Sequence, residues 1–242
     1  MTPSPRAARD SNAEPSAAPP PPPDRCFVPD GRALWSLHEN ARVIVGGTQN
    51  ATVVTIVTKW SSGWDRVELV DPEPSVVEVL RRMSLGPVSL ENVPGLEDSY
   101  RSWRNRADPG VEWLRIEAVF DQLGGSVVAA LGLRSVGSPV LTVVASSREA
   151  AVRLRTLPAA QRFRAREEAT LRESPAEWLL ECPGAPFRAK LHRRSAWLVA
   201  RTLRERPASI DQLSAALDVP HPLVGDIFAY LNGAQLLSVD GD

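Results

Sequence analysis

Cysteine is scarce in this sequence. Of 242 residues only two, Cys26 and Cys182, are cysteine, and neither belongs to a Cys-x-x-Cys pair or a Cys/His cluster at ligand spacing. A disulfide framework and a zinc site therefore have no support. A chain with isolated cysteines is typical of a reducing compartment, so we expect no metal and a cytoplasmic location.

Long apolar runs and an excess of either charge are also missing. No run approaches the roughly 20 apolar residues of a membrane span, and no hydrophobic signal core follows the N-terminal charges. Lys and Arg number 28 against 29 Asp and Glu, which gives a net charge of -1. The chain as a whole lacks the positive field of most nucleic-acid-binding proteins, so we expect neither a membrane nor a nucleic-acid partner.

The common catalytic signatures are absent as well. The sequence contains no GxSxG, HExxH, Walker A or GxGxxG pattern. Its three histidines, His38, His192 and His221, stand far apart in the sequence, none with a carboxylate or second histidine at ligand spacing. We therefore expect no catalytic residue and no cofactor, and no catalytic activity of the chain alone.

Composition divides the chain into four parts. Residues 1–26 form a Pro/Ala-rich tail that cannot bury enough apolar surface to fold and is predicted to be disordered. Residues 27–146 are predicted to form a first unit, 147–168 a basic linker and 169–242 a second unit.

Periodicity in the first unit predicts strands, three helices and a wing. Residues 42–45, 52–58 and 66–70 are β-branched, alternating and separated by turn residues, which predicts a three-stranded antiparallel meander. A helix follows with one apolar face, and Ser89 is placed to cap a short second helix. A third helix is predicted over 111–123, and two wing strands are predicted around a turn at 137–139. Val76, Val79, Leu80 and Met83 share one face of the first helix, and Val111, Leu114, Ala118 and Leu123 lie near one another on the third.

The second unit repeats this order. Residues 170–172, 177–181 and 187–191 are strand candidates, and helices are predicted over 195–203, from a capping box at Ser209, and over 222–231. Sliding the halves by 120 positions lays 66–93 on 186–213 without a gap. The predicted fold is α+β, with two tandem winged-helix-like units that each contain a three-stranded antiparallel sheet and three helices.

Such a unit offers a place for an extended peptide. The last meander strand is predicted to lie at a sheet edge, with free backbone groups for an incoming strand, and the third helix would wall the groove beside it. Proline at position 69 would then remove one edge donor. The peptide-binding candidates of the first unit are Arg66, Val67, Leu69, Val111, Leu114, Arg115 and Ala118. Those of the second unit are Phe187, Ala189, Leu223, Ile227 and Tyr230.

Two other interpretations of these residues stay open. The apolar candidates could be ordinary core residues. A winged helix could instead bind DNA as a transcriptional regulator, although both third helices carry more acid than base. The basic stretches 153–166 and 188–206 keep this regulator alternative open.

The order of strand, Asp-Pro, helix and Pro-x-Ser helix start, in residues 67–72, 76–83 and 87–89, resembles the PqqD-like precursor-peptide recognition elements of ribosomal peptide natural-product pathways. The doubled arrangement is similar to the N-terminal region of the SagB-type azoline dehydrogenases. This second resemblance covers nearly all of residues 27–239. It is carried by 138–144 (SPVLTVV), 177–192 (EWLLECPGAPFRAKLH), 198–217 and 231–237.

The resemblance implies a function without implying catalysis. Members of that family continue into a flavin-binding nitroreductase-like domain, whereas this sequence ends at Asp242, so we expect no flavin site here. What it implies is a subunit that binds a precursor leader peptide or docks a separately encoded dehydrogenase, cyclodehydratase or other maturation enzyme. The pathway would be thiazole/oxazole or thiopeptide antibiotic biosynthesis. An accessory half of a shared active site is a further alternative.

Overall fold

The computed structural model describes residues 31–48, 51–104, 110–134, 136–174 and 177–240. The predicted tail at 1–26 lies outside these residues. The fold is mixed α+β. Its strands are β1 (Gly31–Leu37), β2 (Ala41–Thr48), β3 (Ala51–Trp60), β4 (Gly63–Val70), β5 (Val127–Leu133), β6 (Val136–Ala145), β7 (Phe163–Ala165), β8 (Thr170–Glu173), β9 (Trp178–Glu181), β10 (Phe187–Leu191) and β11 (Leu237–Val239). Its helices are α1 (Pro74–Leu85), α2 (Glu97–Arg104), α3 (Val111–Leu123), α4 (Arg194–Glu205), α5 (Ile210–Leu217) and α6 (His221–Gly233).

One six-stranded antiparallel sheet joins the two halves, in the order β1-β5-β6-β10-β9-β8. The junction is the pairing of β6 with β10, in a register that runs from Ala145 opposite Phe187 to Leu141 opposite Leu191. Helix α6 packs on β1, β5 and β6. The core is therefore continuous across the boundary that composition predicts.

The predicted meander of the first half is confirmed as the three-stranded sheet β2-β3-β4. Its central strand β3 buries Val54 and Ile56 completely, as expected for a strand with neighbours on both sides. Helix α1 follows and buries the predicted face of Val76, Val79, Leu80 and Met83.

The alternative that Leu114 and Ala118 of α3 are ordinary core residues is wrong. The buried residues are Trp113, Ile116, Phe120 and Leu123, whereas Val111, Leu114 and Ala118 are exposed. Trp113 and Phe120 both lie against Trp35 of β1, with ring centroids 6.3 and 5.0 Å from that of Trp35. Large aromatic side chains bury more apolar area than valine or alanine, so they set the rotation of the helix.

The sequence pattern did not predict two of the strands, β1 and β7. β1 lies before the predicted meander, and β7 lies inside the predicted linker. β7 has only three residues, with the exposed Arg164 between two buried ones, so its alternation is too short to be recognised. Both pair in corresponding ways. Trp35 of β1 bridges to Val88 and pairs with Ala129, while Phe163 of β7 bridges to Ala208 and pairs with Val239.

The helices of the two halves also correspond. α1 and α4 begin at Pro74 and Arg194 and end at Leu85 and Glu205, an offset of 120 at both ends. The capping box at Ser209 is confirmed on α5. Ser89, at the corresponding position, makes no capping bond and precedes only a 3₁₀ turn at Leu90–Asn92, so the prediction that its side chain caps a helix is wrong.

The second wing strand starts earlier than expected. β6 begins at Val136, so residues 137–139 belong to the strand and not to a turn. Among the described residues, no helix is long and apolar enough to cross a membrane.

Candidate functional site

The outer edge of β4 is the first part of the candidate site. Within the described ranges β4 pairs with β3 and with no other strand. The amide of Asp71, just after β4, donates to the carbonyl oxygen of Thr52 over 2.7 Å. Bonded pairs alternate along an antiparallel ladder, so the amides and carbonyls of Leu69 and Val67 face β3. The amides and carbonyls of Val70 and Glu68 consequently face the open edge. The prediction that the amide of Leu69 is an edge donor is therefore wrong by one residue.

The corresponding edge in the second half is filled. At the offset of 120 positions, β10 corresponds to residues 67–71, the end of β4 together with Asp71. Strand β6 is hydrogen-bonded along β10. The amide of His192 donates to Val140 O over 2.9 Å, and that of Ser146 to Pro186 O over 2.8 Å. By the same alternation, the backbone groups of Arg188 and Lys190 face β6. These residues correspond to Glu68 and Val70, so β6 occupies on β10 the edge that β4 leaves open.

The exposed face of α3 is the second part of the site. Val111 and Leu114 are 59% and 47% exposed, unusual values for large apolar side chains on a helix with a buried face. Arg115 and Ala118 lie on the same exposed face. The four helix residues predicted to meet a peptide are therefore accessible to one.

An ion pair joins this helix face to the chain that leaves β4. Arg115 Nη1 lies 3.1 Å from Oε1 of Glu73, which directly precedes α1. Arg66 likewise pairs with Glu68 along β4. Both arginines predicted to bind the peptide thus have carboxylate partners within the chain, in exposed pairs that solvent weakens.

The side chains of β4 divide between core and surface. Leu69 is buried and Val67 is half-buried against the core, whereas Val70 is 68% exposed. Of the two apolar β4 candidates, Leu69 therefore has no side chain accessible to a partner. Val70 was not among the sequence candidates, because its last position in the strand gives no pattern.

Exposed large apolar side chains concentrate in the first half. All those found in the described part of the chain lie between residues 44 and 114: Ile44, Val45, Trp64, Val70, Leu85, Val111 and Leu114. Val111 and Leu114, three residues apart on α3, are neighbours on one helix face, and contiguous exposed apolar side chains mark interaction surfaces more often than isolated ones do. The first half is therefore the stronger candidate for a binding surface.

The second-half candidates are core residues, so the prediction that their side chains meet a peptide is wrong. Phe187, Ala189, Leu223, Ile227 and Tyr230 are each at most 4% exposed. Tyr230 also donates from its hydroxyl to Ala130 O of β5 over 2.9 Å, which ties α6 to the six-stranded sheet. Strand β6 and its neighbours cover what would be the peptide-facing surface.

The histidines are distributed over two places. His221 at the start of α6 lies 2.9 Å from Asp211 Oδ1, while His38 and His192, distant in sequence, line one cleft. Within the ranges that the structure describes, no three His, Cys, Asp or Glu side chains are arranged to hold a metal ion.

No protein-family model matches the sequence, and no curated protein matches it either.

Proposed function

We propose that the chain binds the leader region of a ribosomally made precursor peptide, which adds as an antiparallel strand to the outer edge of β4. In this proposal the two halves are tandem winged-helix-like, PqqD-like units. The chain acts in the cytoplasm without catalytic activity of its own. It presents the peptide to a separately encoded dehydrogenase, cyclodehydratase or other maturation enzyme of azole or thiopeptide biosynthesis.

One observation carries the proposal: β10 holds β6 on the edge that corresponds to the open edge of β4. A strand edge with unpaired amides and carbonyls is a ready template for another extended segment. The chain itself fills one such edge with its own strand. The second edge of the same kind is available to a partner.

The internal strand also supports the orientation and chemistry of the ligand. β6 runs antiparallel to β10 and directs Leu141, Val143 and Ala145 to the core, opposite Leu191, Ala189 and Phe187. A peptide on β4 would likewise direct alternate residues to the helix side, opposite Val67 and Leu69. We expect apolar peptide residues at those alternate positions, because they would contact Leu114 and Val111, the exposed large apolar residues of α3.

The filled edge of β10 supports one peptide per chain. A second peptide would have to displace β6 and thereby separate the two halves of the six-stranded sheet. Such a rearrangement would expose the fully buried Leu141, Val140 and Val143. The cost of this exposure favours the first half as the binding half.

A two-step experiment tests the proposal. The tagged chain is first used to recover bound peptides and proteins from its native cytosol, identified by mass spectrometry. The recovered peptide is then labelled and its affinity measured by fluorescence anisotropy for the wild type and for Val70→Pro, which lacks an outward amide. Capture of a precursor peptide whose affinity falls in the variant supports the proposal.

Two results would count against it. Equal affinity of wild type and a folded Val70→Pro variant would exclude strand addition at β4. Recovery of no peptide or maturation enzyme, together with retention of the chain on DNA at physiological salt, would favour a transcriptional regulator.

A further inference from the structure

A cleft of about 410 Å³ opens beside the end of α1, against the strands β5, β6 and β10. Leu85 and Pro87 form one wall, and Val144 and Thr142 contribute to the other. Its volume lies in the range of small-molecule sites, roughly 300–1,000 Å³. The cleft is separate from the β4 edge and plays no part in the proposed strand addition.

Strand register brings two cations into this cleft. Arg188 and Lys190 alternate on β10 with the buried Ala189, so both side chains project on the face opposite the core. Their cross-strand neighbours on β6 are Val144 and Thr142. Because these four positions share one face, the cations stand beside one apolar and one hydroxyl side chain.

The positive charge in the cleft is incompletely neutralised. Lys190 Nζ lies 3.5 Å from Glu177 Oε2, but Arg188 makes no ion pair within the described residues. Its cross-strand carboxylate, Glu181, pairs instead with Arg172 over 2.7 Å. Arg188 therefore has its donors available to an anion.

A third cation and one further acid stand at the rim. Arg42 donates to the carbonyl oxygens of Glu39 and Ala41 over 3.2 and 2.9 Å, which holds the β1–β2 connection in place. Glu39 is exposed at the same rim. The charge of Arg42 adds to the positive potential of the cleft, while its guanidinium is already hydrogen-bonded to the backbone.

Two histidines complete the set of donors. His38 Nδ1 accepts the amide of Asn40 over 3.2 Å, so the neutral ring carries its proton on Nε2. His192 Nε2 lies 2.9 Å from Thr142 Oγ1. Burial lowers the pKa of both imidazoles. The charges of Arg188 and Lys190 lower the pKa of His38 further, and Lys190 does so for His192, against opposite effects of Glu39 and Glu177.

We propose that the cleft binds the phosphate group of a small phosphomonoester, held by Arg188, Lys190 and His192. The apolar part of the ligand lies against Leu85, Pro87 and Val144. A phosphate is favoured over a carboxylate because a phosphomonoester carries a charge of about -1.5 to -2 at pH 7, against -1 for a carboxylate, and is therefore attracted more strongly by the incompletely neutralised cations. Arg188, Lys190 and His192 alternate within five residues of the sequence, whereas His38 and Arg42, which complete the cleft, come from a segment about 150 residues earlier.

The test uses phenyl phosphate as the probe and the full chain in solution. Ring signals of the three histidines are followed by NMR as phenyl phosphate is added. We expect saturable shifts and a raised pKa for His38 and His192. His221, hydrogen-bonded to Asp211 outside the cleft, should keep its signal and serves as the internal reference.

Variants assign the effect to the cations. Arg188→Gln and Lys190→Gln should each weaken phenyl phosphate binding by about tenfold or more, because hydrogen bonds to charged groups are among the stronger ones. Arg201→Gln, an exposed residue of α4 that pairs with Glu205, should bind as the wild type does. An unchanged His221 signal verifies that each variant is folded.

Three results would overturn the proposal. They are an absence of shifts at millimolar phenyl phosphate, equal shifts of all three histidines, and an unchanged affinity in folded Arg188→Gln and Lys190→Gln. Benzoate that binds as tightly as phenyl phosphate would overturn the choice of phosphate.

Discussion

Asp71 and Thr52 close the open end of the β3–β4 ladder with two reciprocal hydrogen bonds. The amide of Asp71 donates to Thr52 O, and Asp71 Oδ1 accepts the amide of Thr52, both over 2.7 Å. Asp71 has a positive φ of 49°, a conformation that aspartate tolerates better than most residues. This pair fixes which backbone groups of β4 point outward.

Proline substitutions at neighbouring positions of β4 should have different effects. Val70→Pro removes an outward amide and should leave the fold intact, because an edge position tolerates proline. It should weaken peptide binding by about tenfold or more, since one edge hydrogen bond and its geometry are lost. Leu69→Pro removes an inward amide and a buried side chain and should lower the free energy of unfolding by more than about 2 kcal/mol.

The matched control for this comparison is Val70→Ala, which keeps the amide and removes only exposed methyl groups. Peptide affinity is measured by fluorescence anisotropy and stability by urea denaturation. Loss of affinity in Val70→Ala equal to that in Val70→Pro would show that the side chain, and not the amide, binds the peptide.

Exposed and buried apolar residues of α3 should separate binding from stability. Leu114→Gln changes a half-exposed residue to another good helix former, so the stability change should stay within about 0.5 kcal/mol. Peptide affinity should fall about tenfold if Leu114 is an anchor. Ile116→Ala, on the buried face, should cost about 2–5 kcal/mol of unfolding free energy. Leu114→Gln with wild-type affinity would remove α3 from the binding site.

The two corresponding serines should differ in their contribution to stability. Ser209 Oγ accepts the amide of Gln212, and Gln212 Oε1 accepts that of Ser209, so Ser209→Ala should cost about 1 kcal/mol. Among the residues that the structure describes, the buried hydroxyl of Ser89 has no hydrogen-bond partner, so Ser89→Ala should leave stability unchanged or raise it. Urea denaturation of both variants tests this, and equal losses would contradict the difference in capping.

Stability should fall when the pH is lowered from 7.5 to 5.5. Burial in the folded protein holds the pKa of His38 and His192 below the ordinary value of 6.5 for histidine. The unfolded chain therefore binds more protons in this window, and the free energy of unfolding decreases as the pH falls. The double variant His38→Gln/His192→Gln should show a smaller decrease between the two pH values. An identical pH dependence would show that these imidazoles do not contribute.

Local pattern was sufficient for most of the elements. Alternating β-branched residues predicted the meander, and the Ser209 capping box predicted the start of α5. The pattern was insufficient where side-chain size competed with spacing, as in α3, where Trp113 and Phe120 are buried and Leu114 and Ala118 are exposed. It also failed for β7, whose three residues are too few to show alternation.

Alternation and caps, which act between near neighbours, let the sequence by itself determine most of the strands and helices and an offset of 120 between the halves. Tertiary structure alone decided which edges are open. The pairing of residues 141–145 with 187–191 joins distant segments, and no local pattern reports a long-range pairing energy. That pairing closes the edge of β10, brings Arg188 and Lys190 beside Thr142 and Val144, and leaves β4 with an open edge.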